Sequence, residues 1–127
     1  VIQHYNKVLY PDMTLMDIAN HVSTSRYFVF PVVDKQMKLI GVVYLDDIRH
    51  LIFRTELYRD FRVAQLMKPP VARLSVQDPM DVVLKVFDRT RMWNLPVVDS
   101  EGTFVGFIRK SSVLAVYRQM MADYSTD

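Results

Sequence analysis

The chain has 127 residues, half of them hydrophobic and about a quarter charged, with a formal net charge of +2. That is the balance of a globular protein, long enough for one ordinary domain or two small units sharing a core. The charge is too small, and the basic residues too scattered, to point to nucleic acid. Cysteine is absent, which excludes disulfides, thiol catalysis and cysteine zinc fingers. No apolar run reaches the roughly 18 residues of a membrane span, and no basic start leads into an apolar stretch as in a signal peptide.

The five residues FPVVD from Phe30 return as LPVVD from Leu95, 65 positions later (95 − 30). The offset holds beyond the phrase. Arg26 falls on Arg91, Gly41 on Gly106, Leu9 on Leu74 and Phe28 on Trp93, and Ile18, Val22, Ile40 and Ile48 meet Val83, Phe87, Val105 and Val113. A gapless match at fixed offset marks one structural unit written twice. Residues 1–58 form the first unit and 59–127 the second, which includes the connecting segment. The VAQLM that leads into the second unit has no complete counterpart, since Val1 pairs with Leu66. The first unit is therefore expected to be cut through its opening.

In chain order, each unit opens on a short extended piece, NKVLY or VARLSV. A cap follows. Thr14 and Asp17 have capping-box spacing, and Pro79 suits a first helical turn. LMDIANHV places Leu15, Ile18, Ala19 and Val22 on one helical face, and MDVVLKVF does so with Met80, Val83, Leu84 and Phe87. The Pro-Val-Val phrase reads as a strand, with the proline expected at its start or on an edge. Asp34–Met37 and Asp99–Gly102 are predicted hairpin turns, returning into strands KLIGVVYL and TFVGFIR. Asp46 and Ser111 are the expected N-caps of the next helices. In the first unit that helix is expected to extend unmatched from about Asp47 to Tyr58. The order is β-α-β-β-α twice, an α/β (α+β) fold. A unit of this size cannot bury both faces of its sheet alone, so the two are predicted to pack about a pseudo-twofold axis.

Two such units, each with hydrophobic-Pro-Val-Val-Asp, a glycine in the next strand and an acidic or hydroxyl helix start, resemble a tandem pair of CBS domains. Within that family, GVVYLDDIRHLIFRTELY and WNLPVVDSEGTFVGFIRKSSVLAVYR resemble the cytoplasmic C-terminal tails of bacterial ClC-type chloride channels and transporters. The resemblance implies a regulatory module on the cytoplasmic side of the inner membrane, attached to a transmembrane chloride-channel domain. It implies an adenine nucleotide (ATP, ADP or AMP) as regulatory ligand and no required cofactor.

The family's Gly-x-x-Thr/Ser-x-x-Asp segment, which holds ribose and phosphates, maps onto Gly41, Tyr44 and Asp47 in the first unit. In the second it maps onto Gly106, Arg109 and Ser112. Tyr44 and Arg109 replace the small hydroxyl residue, and Ser112 replaces the ribose-binding Asp. The resemblance puts the adenine against the strand before Pro-Val-Val: Arg91, Trp93 and Leu95 in one cleft, Tyr27 and Phe28 in the other. The cleft of Asp47 with Arg91–Leu95 is the preferred one.

Each of these residues has a plainer reading. Asp47 complements the positive end of a helix. Ser112 belongs to a helix start, and Arg109 to an exposed charge beside Lys110. Trp93, Tyr27 and Phe28 suit stacking on a base, but the core is the commoner place for such side chains. Asp17 with His21, and Asp46 with His50, have the spacing of surface pairs on a helix. No nucleophile with a base and no phosphate loop is present in the sequence, so an enzyme is not expected. A homodimer is expected, through apolar residues Val113, Val116, Tyr117 and Met120 on one helix and Ile48, Leu51 and Ile52 on its counterpart.

Overall fold

The computed structural model describes residues 2–3 and 7–125. The strands and helices run β1 (Ile2–Gln3), α1 (Leu15–Ser23), β2 (Val29–Val33), β3 (Leu39–Tyr44), α2 (Leu45–Ile52), α3 (Val63–Leu66), β4 (Leu74–Ser75), α4 (Met80–Thr90), β5 (Asn94–Val98), β6 (Phe104–Arg109) and α5 (Lys110–Ser125). Two β-α-β-β-α repeats are present, as the sequence predicts. The first unit's opening piece is reduced to a single parallel bridge, Leu9 to Val32, matching the Leu74 to Val97 pairing of β4 with β5. Asn6, with which that piece was expected to begin, lies outside the described residues, as does Val1.

Local chemistry accounts for the hairpins and the first helix. Thr14 and Asp17 form the expected capping box. Asp34 Oδ1 accepts the Gln36 and Lys38 N–H groups, and Asp99 Oδ1 accepts those of Glu101 and Thr103. Asp side chains fold tight turns in this way. Both turns end at a left-handed residue, Gly102 (φ 83°) and, in the first unit, Met37 (φ 63°). Pro31 lies in the middle of β2 and not at its start. Leu9 N–H donates to the Pro31 carbonyl and Val33 N–H to the Leu9 carbonyl. The missing N–H of Pro31 therefore falls on the side where pairing with the flanking chain only begins, and it costs no ladder bond.

Two helix starts differ from expectation. α2 begins at Leu45 with Tyr44 in the N-cap position, and α5 begins at Lys110, so neither Asp46 nor Ser111 is the cap. Each helix follows its strand with no intervening loop, and a backbone carbonyl replaces the capping side chain. Leu45 N–H donates to the Phe28 carbonyl and Lys110 N–H to that of Trp93, each at 2.8 Å. The expected extension to Tyr58 is absent. α2 stops at Ile52, and one 3-10 turn follows at Thr55–Leu57.

The units are joined reciprocally. β1 crosses to the second unit and pairs antiparallel with β6, Gln3 opposite Phe107. Its equivalent, Lys68, crosses to the first unit and pairs antiparallel with Val42 of β3 at 2.9 Å in both directions. Gly41 and Gly106 sit where these segments cross. A Cβ on Gly106 would lie 2.2 Å from the Gln3 carbonyl oxygen, and one on Gly41 would lie 3.2 Å from that of Lys68. At the axis, Lys38 pairs with its own equivalent Thr103. Leu39 N–H donates to the Gly102 carbonyl at 3.1 Å and Phe104 N–H to that of Met37 at 2.9 Å. Between the units lies a core of Val29, Val33, Leu39, Val42, Val98, Phe104 and Phe107. Phe104 and Phe107 meet edge to face at 5.4 Å. Each unit also has its own core, around Ile18, Phe30 and Ile48 in the first and Val83, Phe87 and Val97 in the second.

Ile48 and Ile52, expected on an outer face, are buried in the first unit's own core, because the 3-10 turn and α3 fold back over them. Val113 is likewise buried in the second. Gly106→Ala is expected to destabilise the fold by about 1–3 kcal/mol, the usual cost of overpacking. Gly41→Ala should cost less, since its tightest side-chain neighbour is the flexible Met67. Urea denaturation of both variants beside the parent checks the order, and equal losses would contradict the crossing geometry.

Candidate functional site

The carbonyls of Phe28 and Trp93 hold the helix starts, and their rings lie outside the core. Phe28 is 65% exposed and Trp93 74%. The commoner core reading fails for both. Tyr27 is half-buried and packs against the first unit's core. Leu95 is buried in the second unit's core.

Phe28 and Trp93 both line a pocket of about 140 Å3 with Val29, Tyr44, Asp46, Arg91, Met92 and Asn94. Phe28 and Trp93 are equivalent through the repeat, and so are Val29 and Asn94. A pocket that takes both members of two equivalent pairs lies across the axis and not in a cleft to one side. The remaining lining is asymmetric, with Tyr44 and Asp46 from the first unit and Arg91 and Met92 from the second. Arg109 and Ser112 do not line it. Arg91 ends α4 in the left-handed conformation (φ 57°), which aims the chain from the helix directly into the strand that borders the pocket. Lys110 Nζ lies 5.6 Å from the centre of the Trp93 ring, a cation–π distance.

Asp47 lies one residue beyond the pocket's Asp46 and is engaged. Its Oδ2 is 2.6 Å from Lys68 Nζ, which also sits 5.1 Å from the centre of the Tyr44 ring. The hydrogen bond to Asp47 holds the Lys68 ammonium above its usual pKa. Burial pushes the Tyr44 phenol above its ordinary 10.0, against the opposing effects of a Val71 backbone hydrogen bond and the Lys68 charge. Asp46 pairs with Arg49 at 2.7 Å and not with His50, and the His21 ring bonds the Asp17 backbone carbonyl and not its carboxylate. Asp46 and Asp47 thus point to different cations. Lys68 was not anticipated as a site residue. Its only sequence signal is its place beside the repeat's opening, and the crossing brings it to Asp47.

The CBS domain family matches this sequence over residues 3–54 and 63–119. The chain belongs to the CBS domain family. Inosine-5'-monophosphate dehydrogenase of Methanocaldococcus jannaschii is 26% identical over 104 residues, covering 82% of this chain and 20% of the relative. The chain spans about a fifth to a third of the length of the curated relatives it matches. Among solved structures, CBSX2 in complex with AMP superposes with a TM-score of 0.74 at 23% identity, over 91% of this chain and 89% of that one. The CBS domain of a bacterial CNNM/CorC family Mg2+ transporter in complex with ATP gives a TM-score of 0.75 at 21% identity, over 90% and 81%. These likenesses establish the CBS-pair fold.

Because Tyr44 ionises above 10.0 in the fold, its contribution to stability is complete below pH 10 and is lost as pH rises beyond it. Denaturant midpoints at about pH 9 and about pH 11 should therefore fall less for Tyr44→Phe than for the parent. Equal falls would show that the phenol is not held neutral.

Proposed function

We propose that this CBS pair senses an adenine nucleotide at the axis pocket and relays its presence to an attached transport domain, without catalysing a reaction. The observation that carries the reading is the pocket itself. Two exposed aromatic rings, Phe28 and Trp93, flank a space that also receives Arg91 and Asp46, and Asp47, paired with Lys68, is the next residue along the helix. Aromatic faces stack on bases, carboxylates accept ribose hydroxyls, and a guanidinium binds phosphate. AMP in CBSX2 and ATP in the CNNM/CorC transporter domain support an adenine nucleotide here. The attachment we propose is a ClC-type chloride channel or transporter, with the module on the cytoplasmic side of the inner membrane. Its support is the resemblance of the two segments quoted above. We assign the first unit to 1–58 and the second to 59–127.

Trp93 is the only tryptophan, so its fluorescence reports the pocket directly. Titration with AMP, ADP and ATP should change its emission with saturation. Loss of a stacking partner is worth about 1–3 kcal/mol, so Trp93→Ala, followed by calorimetry, should weaken binding roughly five- to a hundredfold. Asp47→Ala should weaken it by roughly ten- to a hundredfold, the value of a charge-assisted bond. Ser112→Ala should leave it unchanged. If Ser112→Ala abolishes binding and Asp47→Ala does not, the nucleotide uses the other side of the axis.

A second reading is a ligand-free dimerisation module. It is favoured by the Asp47–Lys68 pair, which already occupies the ribose acceptor, and by the exposed apolar end of α5, where Met120 is 55% and Tyr124 80% exposed. Under either reading we propose a homodimer. Sedimentation at tens of micromolar, a range that reveals weak interfaces, should show the dimer for the parent and a monomer for Met120→Glu. A monomeric parent would overturn this part of the proposal.

A further inference from the structure

The axis pocket is too small to enclose a whole nucleotide. Its volume of about 140 Å3 falls short of the roughly 300–1,000 Å3 that sites for small molecules occupy. A second space of about 430 Å3 adjoins it, lined by Asp88, Arg91, Met92, Trp93 and Lys110. Arg91, Met92 and Trp93 line both spaces, so the turn from α4 into β5 is the wall between them. This second chamber is built by the second unit alone.

Its lining is cationic. Arg91 and Lys110 stand against one carboxylate, Asp88, and among the described residues no ion pair engages either cation. The Lys110 ammonium lies over the Trp93 ring, a contact that leaves N–H donors for an anion. The repeat shows what has been added. Lys110 stands where the first unit has Leu45, buried in that unit's core, whereas Arg91 is matched by Arg26. The second cation at this place is therefore peculiar to one unit. Neither Arg109 nor Ser112, from the second unit's Gly-x-x-Thr/Ser-x-x-Asp segment, lines the chamber.

We propose that this chamber is a polyphosphate subsite, which makes the module selective for a nucleoside triphosphate over the monophosphate. The inference rests on the nucleotide reading above and adds the ligand's charge and length to it. With the base at Phe28 and Trp93, the phosphates run past Arg91 toward Lys110. Arg91 borders both spaces and meets the first phosphate of any nucleotide. Lys110 borders only the second, so a longer chain is needed to reach it. Arg91 thus serves affinity, and Lys110 serves selection by chain length through charge-assisted hydrogen bonds.

Calorimetry with AMP and ATP in metal-free buffer tests this. The parent should bind ATP at least about tenfold more tightly than AMP, the value of one charge-assisted bond. Lys110→Gln should remove most of that preference, and it keeps the backbone bond to the Trp93 carbonyl on which the helix start depends. Lys85→Gln, which takes the same charge from the exposed surface of α4, should leave the ratio of affinities unchanged. Inorganic tripolyphosphate, which has no base, should alter Trp93 emission in the parent and not in Lys110→Gln. Equal affinities for AMP and ATP in the parent would overturn the subsite and leave the nucleotide reading standing. So would a preference that Lys110→Gln leaves intact or that Lys85→Gln reduces as much. Tripolyphosphate bound through Lys110 while AMP and ATP both fail to bind would sink the nucleotide reading instead and keep the anion site.

Discussion

Everything in this molecule depends on the exchange by which each unit's lead-in segment is paired to the other unit's last strand. β1 lies on β6 and Lys68 lies on β3, and among the described residues neither segment pairs with a strand of its own unit. Each unit's sheet is therefore completed by chain from its neighbour, and pulling the units apart would open a ladder in both. The crossing runs tightest at Gly106, where a Cβ would meet the Gln3 carbonyl oxygen at 2.2 Å, and less tightly at Gly41, where the nearest backbone atom would be 3.2 Å away. Gly106, which the family resemblance ties to a phosphate-binding segment, has a sufficient explanation in this crossing alone.

The axis inherits the consequences. The hairpin tips meet through the reciprocal Leu39–Gly102 and Phe104–Met37 bonds, and the apolar core between the units runs from there along the strands. The pocket lined by Phe28 and Trp93 takes residues from both units, so an occupant contacts two bodies whose relation the exchange fixes. Departures from symmetry decide what the pocket offers. Asn94 replaces Val29 across the axis, and Tyr44 and Asp46 contribute where Arg109 and Ser111 do not. The Lys68 ammonium, carried in by the crossing, ties Asp47 and lies over Tyr44, so the exchange also sets the charge beside the pocket.

Much of the fold was legible because its determinants are local or repeated. The Thr14 capping box, the Asp34 and Asp99 turns and the two helical faces each depend on residues within a few positions of one another. The offset of Gly41 to Gly106 predicted a pseudo-twofold pair. The parts that were not legible depend on contacts distant in sequence. A crossing strand of two residues, such as Ile2–Gln3, has no period to read. The helix starts at Leu45 and Lys110 are satisfied by carbonyls from a preceding strand, so no capping residue announces them. Phe28 and Trp93 have core-like composition, yet the Leu45 and Lys110 bonds hold their backbones at the sheet's rim. The pairing of Lys68 with Asp47 follows only once the segments have crossed.

Native-state hydrogen exchange tests the central claim most directly. If the units are completed by one another, the amides of Leu39, Val42, Lys68 and Phe104 should exchange with a common free energy equal to that of global unfolding. That free energy should fall together at all four sites in Gly106→Ala. Exchange of Leu39 and Val42 through an opening that leaves Phe104 protected, or the reverse, would mean that each unit holds its sheet alone and would contradict the account.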